Sequence, residues 1–248
     1  MSELELLCCD EWLIGLNKPS GLPTAPTRDP QRQTLYHLAR RVVGRELWVS
    51  HRLDLGTSGV VVMAAHPDAV KPLALSFEQR RAHKLYWALT AQLPQGLSPE
   101  GAHRFKDARA LLHWHRAISE QSLLPREMLN EDWLHVSAPL REGPREGGRS
   151  RWEVTRSGGK PSHTLLRVIA IAPGLHLIGA RPLTGRTHQI RVHLAHLEAP
   201  LIGDPSYGGP KAPRLMLHAR SLELPHPMSA EPLSLRARCD FTARIEAR

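Results

Sequence analysis

The hydrophobic positions of this chain fall mostly in short runs separated by turn residues, a pattern typical of strands. Leu4 to Cys9 and Trp12 to Leu16 are split by two acidic residues, which predicts two strands joined by a tight turn. Farther along, Leu165 to Ile171 and Leu175 to Ala180 are joined by an Ala-Pro-Gly turn and predict a second hairpin. The pattern favours a sheet-rich protein.

Three segments instead have the helical period: Gln33 to Val43, Pro67 to Arg81 and Gln189 to Leu197. The residues expected to face the core are Leu35, Leu38, Ala39 and Val42 in the first, Val70, Leu73, Ala74 and Phe77 in the second, and Ile190, Leu194 and Leu197 in the third. The second helix opens on Pro-Asp and should expose Arg80 and Arg81 at its end. Helices and strands together predict a mixed architecture.

The region from 92 to 163 is difficult to interpret, because apolar residues are scattered among many charges. Within it, 98–133 indicates more helix than its surroundings. His113-Trp114-His115 is interpreted as strand-like, with both histidines on one solvated face.

Composition and charge narrow the class of partner. The chain has 248 residues, of which 41% are hydrophobic and 23% charged, as in a globular protein of one large or two small domains. Its net charge of +9 favours an anionic partner, and nucleic acid is the commonest one for an intracellular protein. A merely basic surface is the alternative that charge alone leaves open.

The cysteines and the hydropathy pattern bear on the compartment. Cys8 and Cys9 are adjacent and Cys239 is distant, which fits neither a disulfide framework nor paired Cys-x-x-Cys zinc spacing. No basic, apolar leader opens the chain, and no run approaches the roughly 18 apolar residues of a membrane span. We therefore expect a cytoplasmic protein without a membrane partner.

The segment from His51 to Met63 places one carboxylate, Asp54, between apolar runs. Val60 to Met63 predicts a buried strand, and Gly56 to Gly59 predicts a turn just before it. Asp54 would then lie on a loop beside the core. A carboxylate in that position is costly to keep charged unless a cation pairs with it.

A second segment, Leu183 to Leu194, offers such a cation. It carries Arg186 and Arg191, either of which could pair with Asp54. In a helix, His188 and Arg191 lie three apart and share one polar face.

Three shorter motifs accompany these two segments: Asn17-Lys18-Pro19-Ser20-Gly21-Leu22, Lys84-Leu85-Tyr86 and Pro200-Leu201-Ile202-Gly203-Asp204-Pro205-Ser206-Tyr207-Gly208. Together, in this order and spacing, the five resemble the RluA-type family of RNA pseudouridine synthases. The resemblance runs from about Leu4 to about Leu224, with Leu215 to Ala219 resembling the closing core strand. His-Arg-Leu-Asp followed by Thr-Ser-Gly is highly specific, whereas Asn-Lys-Pro alone would be weak.

The resemblance implies an α+β fold, with a mixed, mainly antiparallel sheet split by a central cleft and Asp54 on the cleft floor. It implies a single catalytic domain over residues 1–248, with a core at about 4–224 and a poorly assigned middle at about 92–163. We expect the chain to lack the small RNA-binding module that precedes many family members. RNA would then be gripped by the catalytic domain, and the basic tail with Arg236, Arg238, Arg244 and Arg248 is a hypothesis for additional contact.

The implied reaction isomerises uridine to pseudouridine in structured RNA, which requires neither a cofactor nor a metal. Asp54 matches the family's catalytic aspartate, and Arg191 matches the arginine that pairs with it. Tyr86 matches an active-site tyrosine whose ring can stack on uracil and whose hydroxyl can reach the sugar. These three residues are the predicted catalytic group.

Six further residues form the predicted substrate-binding group: Lys18, His51, Arg52, Lys84, Arg186 and Ile190. Arg52 corresponds to an arginine that fills space or contacts phosphate when the target nucleotide flips out. Ile190 would complete an apolar wall, and the lysines and Arg186 would contact the RNA backbone. For His51, a structural hydrogen bond is the alternative. The partner is a stem-loop of transfer RNA or large-subunit ribosomal RNA, bound by a monomer.

Two other functions compete with this hypothesis. A non-catalytic RNA-binding protein could retain the fold, although it would not need a carboxylate facing phosphate. A metal-dependent phosphoesterase is suggested by the 15 histidines, but no carboxylate-histidine ligand spacing supports it.

Overall fold

The structure is a computed structural model, and it describes residues 4–120, 133–144 and 151–241. The strands are β1 (Glu5–Cys9), β2 (Leu13–Lys18), β3 (Trp48–Val49), β4 (Ser58–Ala64), β5 (His83–Thr90), β6 (His103–Arg104), β7 (Leu134–Ser137), β8 (Leu140–Glu142), β9 (Trp152–Val154), β10 (His163–Ala172), β11 (Leu175–Pro182), β12 (Leu217–Pro225) and β13 (Pro232–Arg236). The helices are α1 (Leu35–Val43), α2 (Pro67–Glu78), α3 (Ala108–Glu120) and α4 (Gln189–His196), with a short 3₁₀ helix at Pro205–Tyr207.

The chain divides into two compact units. The first comprises the described residues up to Lys84 and the segment His218–Arg238. Its strands follow the order β1-β2-β4-β12, with β3 paired to β4 and β13 to β12. All of these pairs are antiparallel except β4 with β12, which is parallel. The predicted hairpin of the first two strands is confirmed.

Strand β4 is the centre of the first unit, and all seven of its residues are buried. Val60, Val62 and Ala64 pack against Ala69 and Leu73 of α2. The β-branched, uncharged sequence of β4 is what a strand enclosed on both faces requires.

Gly59 lies within β4 and not in a turn before it, which corrects the predicted turn at Gly56 to Gly59. Its φ is +112°, and a Cβ atom there would lie 2.2 Å from the carbonyl oxygen of Ala219 on β12. Only glycine allows the two parallel strands to approach at this point. The Thr-Ser-Gly motif therefore belongs to strand pairing, while the turn is at residues 55–56.

The second unit comprises the described residues from Leu85 to Leu217 and from Cys239 onward. Its strands follow the order β5-β11-β10-β6, with β7 also paired to β10, and only β6 is parallel to its neighbour. Strands β8 and β9 form a separate antiparallel pair. The predicted hairpin of β10 and β11 is confirmed.

The middle of the chain contributes helix α3 to the second unit. Its buried side chains include Leu111, Leu112, His115 and Ile118. His115 is fully buried between the rings of Trp87 and Phe241, so the prediction of a solvated strand at 113–115 was wrong. Helical spacing, and not alternation, places His115 with the leucines.

Some residues named in the predictions lie outside the described part of the chain, and one is exposed although it was expected to face the core. Residues 121–132, 145–150, Arg244 and Arg248 lie outside the described residues. Val42, predicted to face the core from α1, is 55% exposed. Among the residues that the structure describes, no helix combines the length and the apolar character needed to cross a membrane.

Candidate active site

Asp54 lies on the loop His51–Thr57 between β3 and β4, named here the Asp54 loop. The residue is half-buried, between buried Leu53 and exposed Leu55. Its own carbonyl oxygen accepts a hydrogen bond from the Thr57 backbone N–H (3.1 Å), which closes the turn into β4. The placement of Asp54 on a loop beside the core is as predicted.

A second loop, Lys18–Thr24, holds the Asp54 loop in place and is named here the anchoring loop. The Thr24 hydroxyl, itself buried, donates to the Leu53 carbonyl and accepts from the Leu53 N–H, both at 3.2 Å. The Gly21 N–H donates to the Leu55 carbonyl at 2.8 Å. The anchoring loop therefore restrains the backbone on both sides of Asp54.

Lys18 is part of this anchor and not of an RNA-facing surface. Its ammonium group donates to the carbonyls of Pro19 (3.0 Å), Leu22 (2.8 Å) and Leu55 (3.3 Å), and the residue is 0% exposed. A buried ammonium needs such oxygen partners, because leaving it without them costs free energy. The predicted contact of Lys18 with the RNA backbone is thus corrected to a structural role.

Ser20 completes the anchor, because its hydroxyl donates to the Gly56 carbonyl at 2.6 Å. The Asn-Lys-Pro-Ser-Gly motif and the His-Arg-Leu-Asp motif, separated by about thirty residues of sequence, are therefore one structural unit. The first motif orients the backbone of the second.

His51 has the structural role that was its alternative. Its Nε2 atom accepts a hydrogen bond from the Val62 N–H at 3.0 Å, and its ring stacks on Phe77 with centroids 4.4 Å apart. Burial, together with the nearby charge of Lys84, lowers the pKa of His51 to about 3. The imidazole is therefore neutral at physiological pH and supports β4.

Arg52 and Lys84 remain suited to a role in binding. Arg52 is exposed and makes no hydrogen bond or ion pair with any residue that the structure describes. Lys84 is half-buried, and burial lowers its pKa. Both lie in the first unit with Asp54.

In the second unit, the carboxamide of Gln189 fixes the start of α4. Its Oε1 atom accepts from the Thr184 hydroxyl (2.7 Å) and the Arg186 N–H (3.0 Å). Its Nε2 atom donates to the His163 carbonyl (2.8 Å) and the Thr164 hydroxyl (2.9 Å). Two of the four bonds of this buried side chain thus tie the start of α4 to β10, and the other two close the loop before it.

A buried chain of hydrogen bonds extends from Thr164 through His193. The Thr164 hydroxyl donates to Nδ1 of His193 at 2.9 Å, and Nε2 of His193 donates to the Ala138 carbonyl at 3.0 Å. Burial lowers the pKa of His193 to about 4, so the ring is neutral at physiological pH. His193 therefore has a structural role.

Arg191 is held by an acid that the sequence did not reveal. Its Nε and Nη2 atoms donate to the two carboxylate oxygens of Asp204 at 2.7 and 2.8 Å, and both side chains are buried. The guanidinium also lies over the Tyr207 ring, 5.0 Å from its centroid. The Tyr207 hydroxyl accepts from the Trp152 N–H (3.1 Å) and is hydrogen-bonded to Nδ1 of His188 (2.8 Å). His188 and Arg191 thus share one face, as predicted.

The remaining predicted residues of the second unit are Tyr86, Ile190 and Arg186. Ile190 is buried in a cluster with Leu194 and Leu217, and half-buried Tyr86 packs against that cluster. Arg186 is half-buried and donates from Nε to the Pro161 carbonyl at 3.1 Å. Tyr86 and Ile190 therefore share an apolar environment, with the tyrosine partly accessible.

Asp204, Tyr207 and Gln189 lie within the motifs that predicted the site, but their roles are visible only in the structure. The sequence offers one signal for these roles. Asp204 and Tyr207 follow closely after the helix that carries Arg191, and an acid and an aromatic ring are the groups that bind a guanidinium. Within 4–120, 133–144 and 151–241, no group of three or more His, Cys, Asp or Glu side chains is arranged to hold a metal ion.

Comparisons with known proteins agree with this arrangement. Residues 13–196 match the model of the RNA pseudouridylate synthase family. The chain is 30% identical over 252 residues to tRNA pseudouridine synthase C of Yersinia pestis, covering 96% of this chain and 87% of that protein. It is 29% identical over 244 residues to the dual-specificity RNA pseudouridine synthase RluA of Escherichia coli, covering 96% and 94%.

Solved structures give the same fold. Human RNA pseudouridylate synthase domain containing 1 has a TM-score of 0.69 at 24% identity and covers 96% of this chain and 84% of its own. Human RNA pseudouridylate synthase domain containing 4 has a TM-score of 0.63 at 25% identity, with 94% and 87% covered. These likenesses confirm the predicted α+β pseudouridine synthase fold. The chain belongs to the RNA pseudouridylate synthase family and is an RNA uridine-to-pseudouridine isomerase.

Proposed function

We propose that Asp54 supplies the carboxylate that attacks or stabilises the sugar of the target uridine. The observation that carries this proposal is the anchoring of the Asp54 loop, in which Thr24, Lys18 and Gly21 bind the backbone on both sides of the residue. A reacting group needs a fixed backbone, because small misplacements reduce the rate steeply. A carboxylate that merely caps a turn needs no such support from a separate loop.

The chemistry asked of this carboxylate is the exchange of one glycosidic bond for another. The bond from N1 of uracil to C1′ breaks, the uracil turns, and C5 forms the new bond to C1′. The hydrogen on C5 leaves as a proton, so atoms and electrons balance without an oxidant. An ionised Asp54 can stabilise the electron-poor C1′ while the base is detached.

The second unit supplies the other proposed roles. Arg191 is assigned to the pairing with Asp54 by the family resemblance, and its rigid hold by Asp204 suits an orienting role. Tyr86 is assigned to stacking on the uracil, and its position at the edge of the Ile190 cluster supports that assignment. A double-variant comparison, Asp54→Asn with Arg191→Lys, tests whether the two groups act as one.

The proposed substrate is a stem-loop of transfer RNA, with large-subunit ribosomal RNA as the second class. Support comes from relatives that are named for transfer RNA or for dual specificity. A stem-loop lowers the cost of flipping the target nucleotide. We further propose that the enzyme acts as a monomer in a reducing cytoplasm, which fits its three unbridged cysteines.

The test is tritium release from RNA labelled at C5 of uracil, with separate transfer-RNA and ribosomal-RNA pools from cells that lack this gene. Wild type should release tritium from the transfer-RNA pool, and Asp54→Asn should release none above background. Asp68→Asn is the matched control, because Asp68 is an exposed acid on α2 in the same unit. This control should release tritium at the wild-type rate.

The outcomes separate the parts of the proposal. Release by Asp54→Asn at the wild-type rate would overturn the role of Asp54. Release from the ribosomal pool alone would overturn the preference for transfer RNA. No release from either pool, with tight RNA binding retained, would favour a non-catalytic RNA-binding protein.

A further inference from the structure

The end of helix α2 has an arginine where helices ordinarily have glycine. The helix ends at Glu78, and the backbone of Arg80 is left-handed, with φ at 59°. The Arg81 N–H donates to the Ser76 carbonyl at 2.9 Å, and the Arg80 N–H donates to the Phe77 carbonyl at 3.2 Å. These two bonds define a Schellman motif with Arg80 at its left-handed position.

For the fold alone, glycine would serve better at position 80. A left-handed backbone brings the Cβ atom of any other residue close to the following carbonyl oxygen, and glycine has no Cβ. Arginine is not among the residues that tolerate this conformation well. The side chain of Arg80 therefore has no structural reason to be there that a glycine would not satisfy.

The turn that follows α2 carries concentrated positive charge. Arg80, Arg81 and His83 are all exposed, and none forms an ion pair with an acid among the residues that the structure describes. By contrast, exposed Arg40 and Arg141 are paired with acids, Glu46 and Glu153. The two arginines of this turn are therefore cations without an acidic partner among the described residues.

This turn lies beside the Asp54 loop within the first unit. Phe77, in the last turn of α2, stacks on His51, the first residue of that loop. Lys84, at the other end of the basic turn, is close enough for its charge to act on His51. Exposed Arg52 is the next residue along the loop.

We propose that the turn Arg80–Lys84, led by Arg80 and Arg81, binds backbone phosphates of the RNA next to the target uridine. The inference rests on the proposed function and names a surface for its substrate. Guanidinium groups bind phosphate through paired N–H donors, and the exposed side chains of Arg80 and Arg81 are accessible to such a ligand. Unpaired exposed arginines beside a carboxylate loop suit an anionic polymer better than a protein or small-molecule partner.

The test compares Arg80→Gly with wild type in binding to fluorescein-labelled unfractionated transfer RNA, across a series of salt concentrations, alongside thermal unfolding. We expect Arg80→Gly to weaken RNA binding roughly three- to tenfold and to lower the salt-dependence slope by about one. Its Tm should equal that of wild type or exceed it by up to about 3 °C, because the strain is relieved. Lower affinity in a protein that is at least as stable is a result that a structural role does not produce.

Three control variants complete the design. Ala230→Gly relieves a left-handed residue (φ 61°) without changing charge and should leave RNA binding unchanged. Arg41→Gln removes an exposed charge from α1 and should change affinity less than twofold. Arg80→Lys keeps the charge but not the paired N–H donors, and its affinity should lie between those of Arg80→Gly and wild type.

The outcomes are separable from those of the catalytic proposal, because binding is measured without turnover. Wild-type affinity and salt slope in Arg80→Gly would overturn the inference and leave the tritium-release result untouched. An equal loss in Arg41→Gln would also overturn it, because only net charge would then matter. Absence of tritium release in wild type would refute the catalytic proposal, while the comparison of affinities would still stand.

Discussion

The two units hold their candidate catalytic side chains in opposite ways. In the first unit, the anchors from Thr24, Lys18 and Gly21 all bind backbone atoms of the residues that flank Asp54, and none of these anchors uses its carboxylate. In the second unit, the guanidinium of Arg191 is itself bonded to buried Asp204. Position is thus set through the backbone in one unit and through the functional side chain in the other.

We therefore expect substitution of Asp54 to affect activity more than stability, and substitution of Arg191 to affect both. The backbone anchors would hold the loop in place whatever side chain stood at position 54. Arg191 cannot be removed without leaving a buried carboxylate that has lost its cation. Substitutions of Asp54 and of Arg191 should therefore have different effects on the free energy of unfolding.

The largest expected effect is the loss of stability in Arg191→Ala. We expect the free energy of unfolding to fall by about 3–5 kcal/mol, because Asp204 becomes an uncompensated buried charge. Asp54→Ala should lower it less, because the backbone anchors of the Asp54 loop remain in place. Urea unfolding of both variants measures the contrast, and equal losses would refute the comparison.

A double variant sharpens this result. Arg191→Met with Asp204→Leu replaces the buried ion pair by apolar groups and should recover most of the stability lost in Arg191→Ala. It should remain inactive in tritium release, because the orienting guanidinium is absent. Recovery of activity would show that Arg191 serves the fold alone.

The next effect tests the backbone anchor through Lys18→Met. Methionine fills the space but removes the ammonium donor from the carbonyls of Pro19, Leu22 and Leu55, of which only Leu55 keeps a second donor, the Gly21 N–H. We expect a loss of about 2–3 kcal/mol in unfolding free energy, together with slower tritium release at saturating RNA. Lys71→Met, at an exposed position of α2, is the matched control and should change neither quantity. A change only in RNA affinity would restore the predicted backbone contact of Lys18.

The sequence predicted the parts of the fold that depend on local pattern. The two hairpins, β4 and the three amphipathic helices have periodic apolar positions that identify them without tertiary information. The apolar stripe of Ile190, Leu194 and Leu197 likewise packs in one cluster, as its spacing predicted. Asp54 was placed on its loop for the same reason.

The partners of the site residues could not be predicted in this way. Lys18 was expected to face RNA because lysine is usually exposed, yet three carbonyls from two loops surround its ammonium group. Asp204 meets Arg191 only after the chain has left α4 and reached the residue that precedes the 3₁₀ helix. Such pairings depend on tertiary approach, which apolar periodicity does not encode.

A third prediction concerns His193. This side chain is neutral and held in the second unit by hydrogen bonds, whereas Arg191 is held there by an ion pair. The pKa of His193 is about 4 in the folded protein and about 6.5 when unfolded, so below pH 6.5 only the unfolded chain gains a proton. The stabilisation that neutral His193 gives the folded protein is complete above pH 6.5 and is lost as the pH falls towards 4. Wild type should lose about 2 kcal/mol between pH 6.5 and 5 relative to His193→Gln. The same comparison with His113→Gln, an exposed site on α3, should show no such difference.

The smallest expected effect isolates one anchor of the Asp54 loop. Thr24→Val preserves shape but removes the hydroxyl that bonds both backbone groups of Leu53. We expect a loss of about 1 kcal/mol in unfolding free energy and a lower kcat with KM nearly unchanged, because the variant displaces Asp54 without altering RNA contacts. Thr24→Ser keeps the hydroxyl and should retain kcat, which distinguishes the hydrogen bonds from packing. If Thr24→Val loses stability but keeps the wild-type kcat, the anchoring loop supports the fold without positioning Asp54, and the contrast between the two units would then concern stability alone.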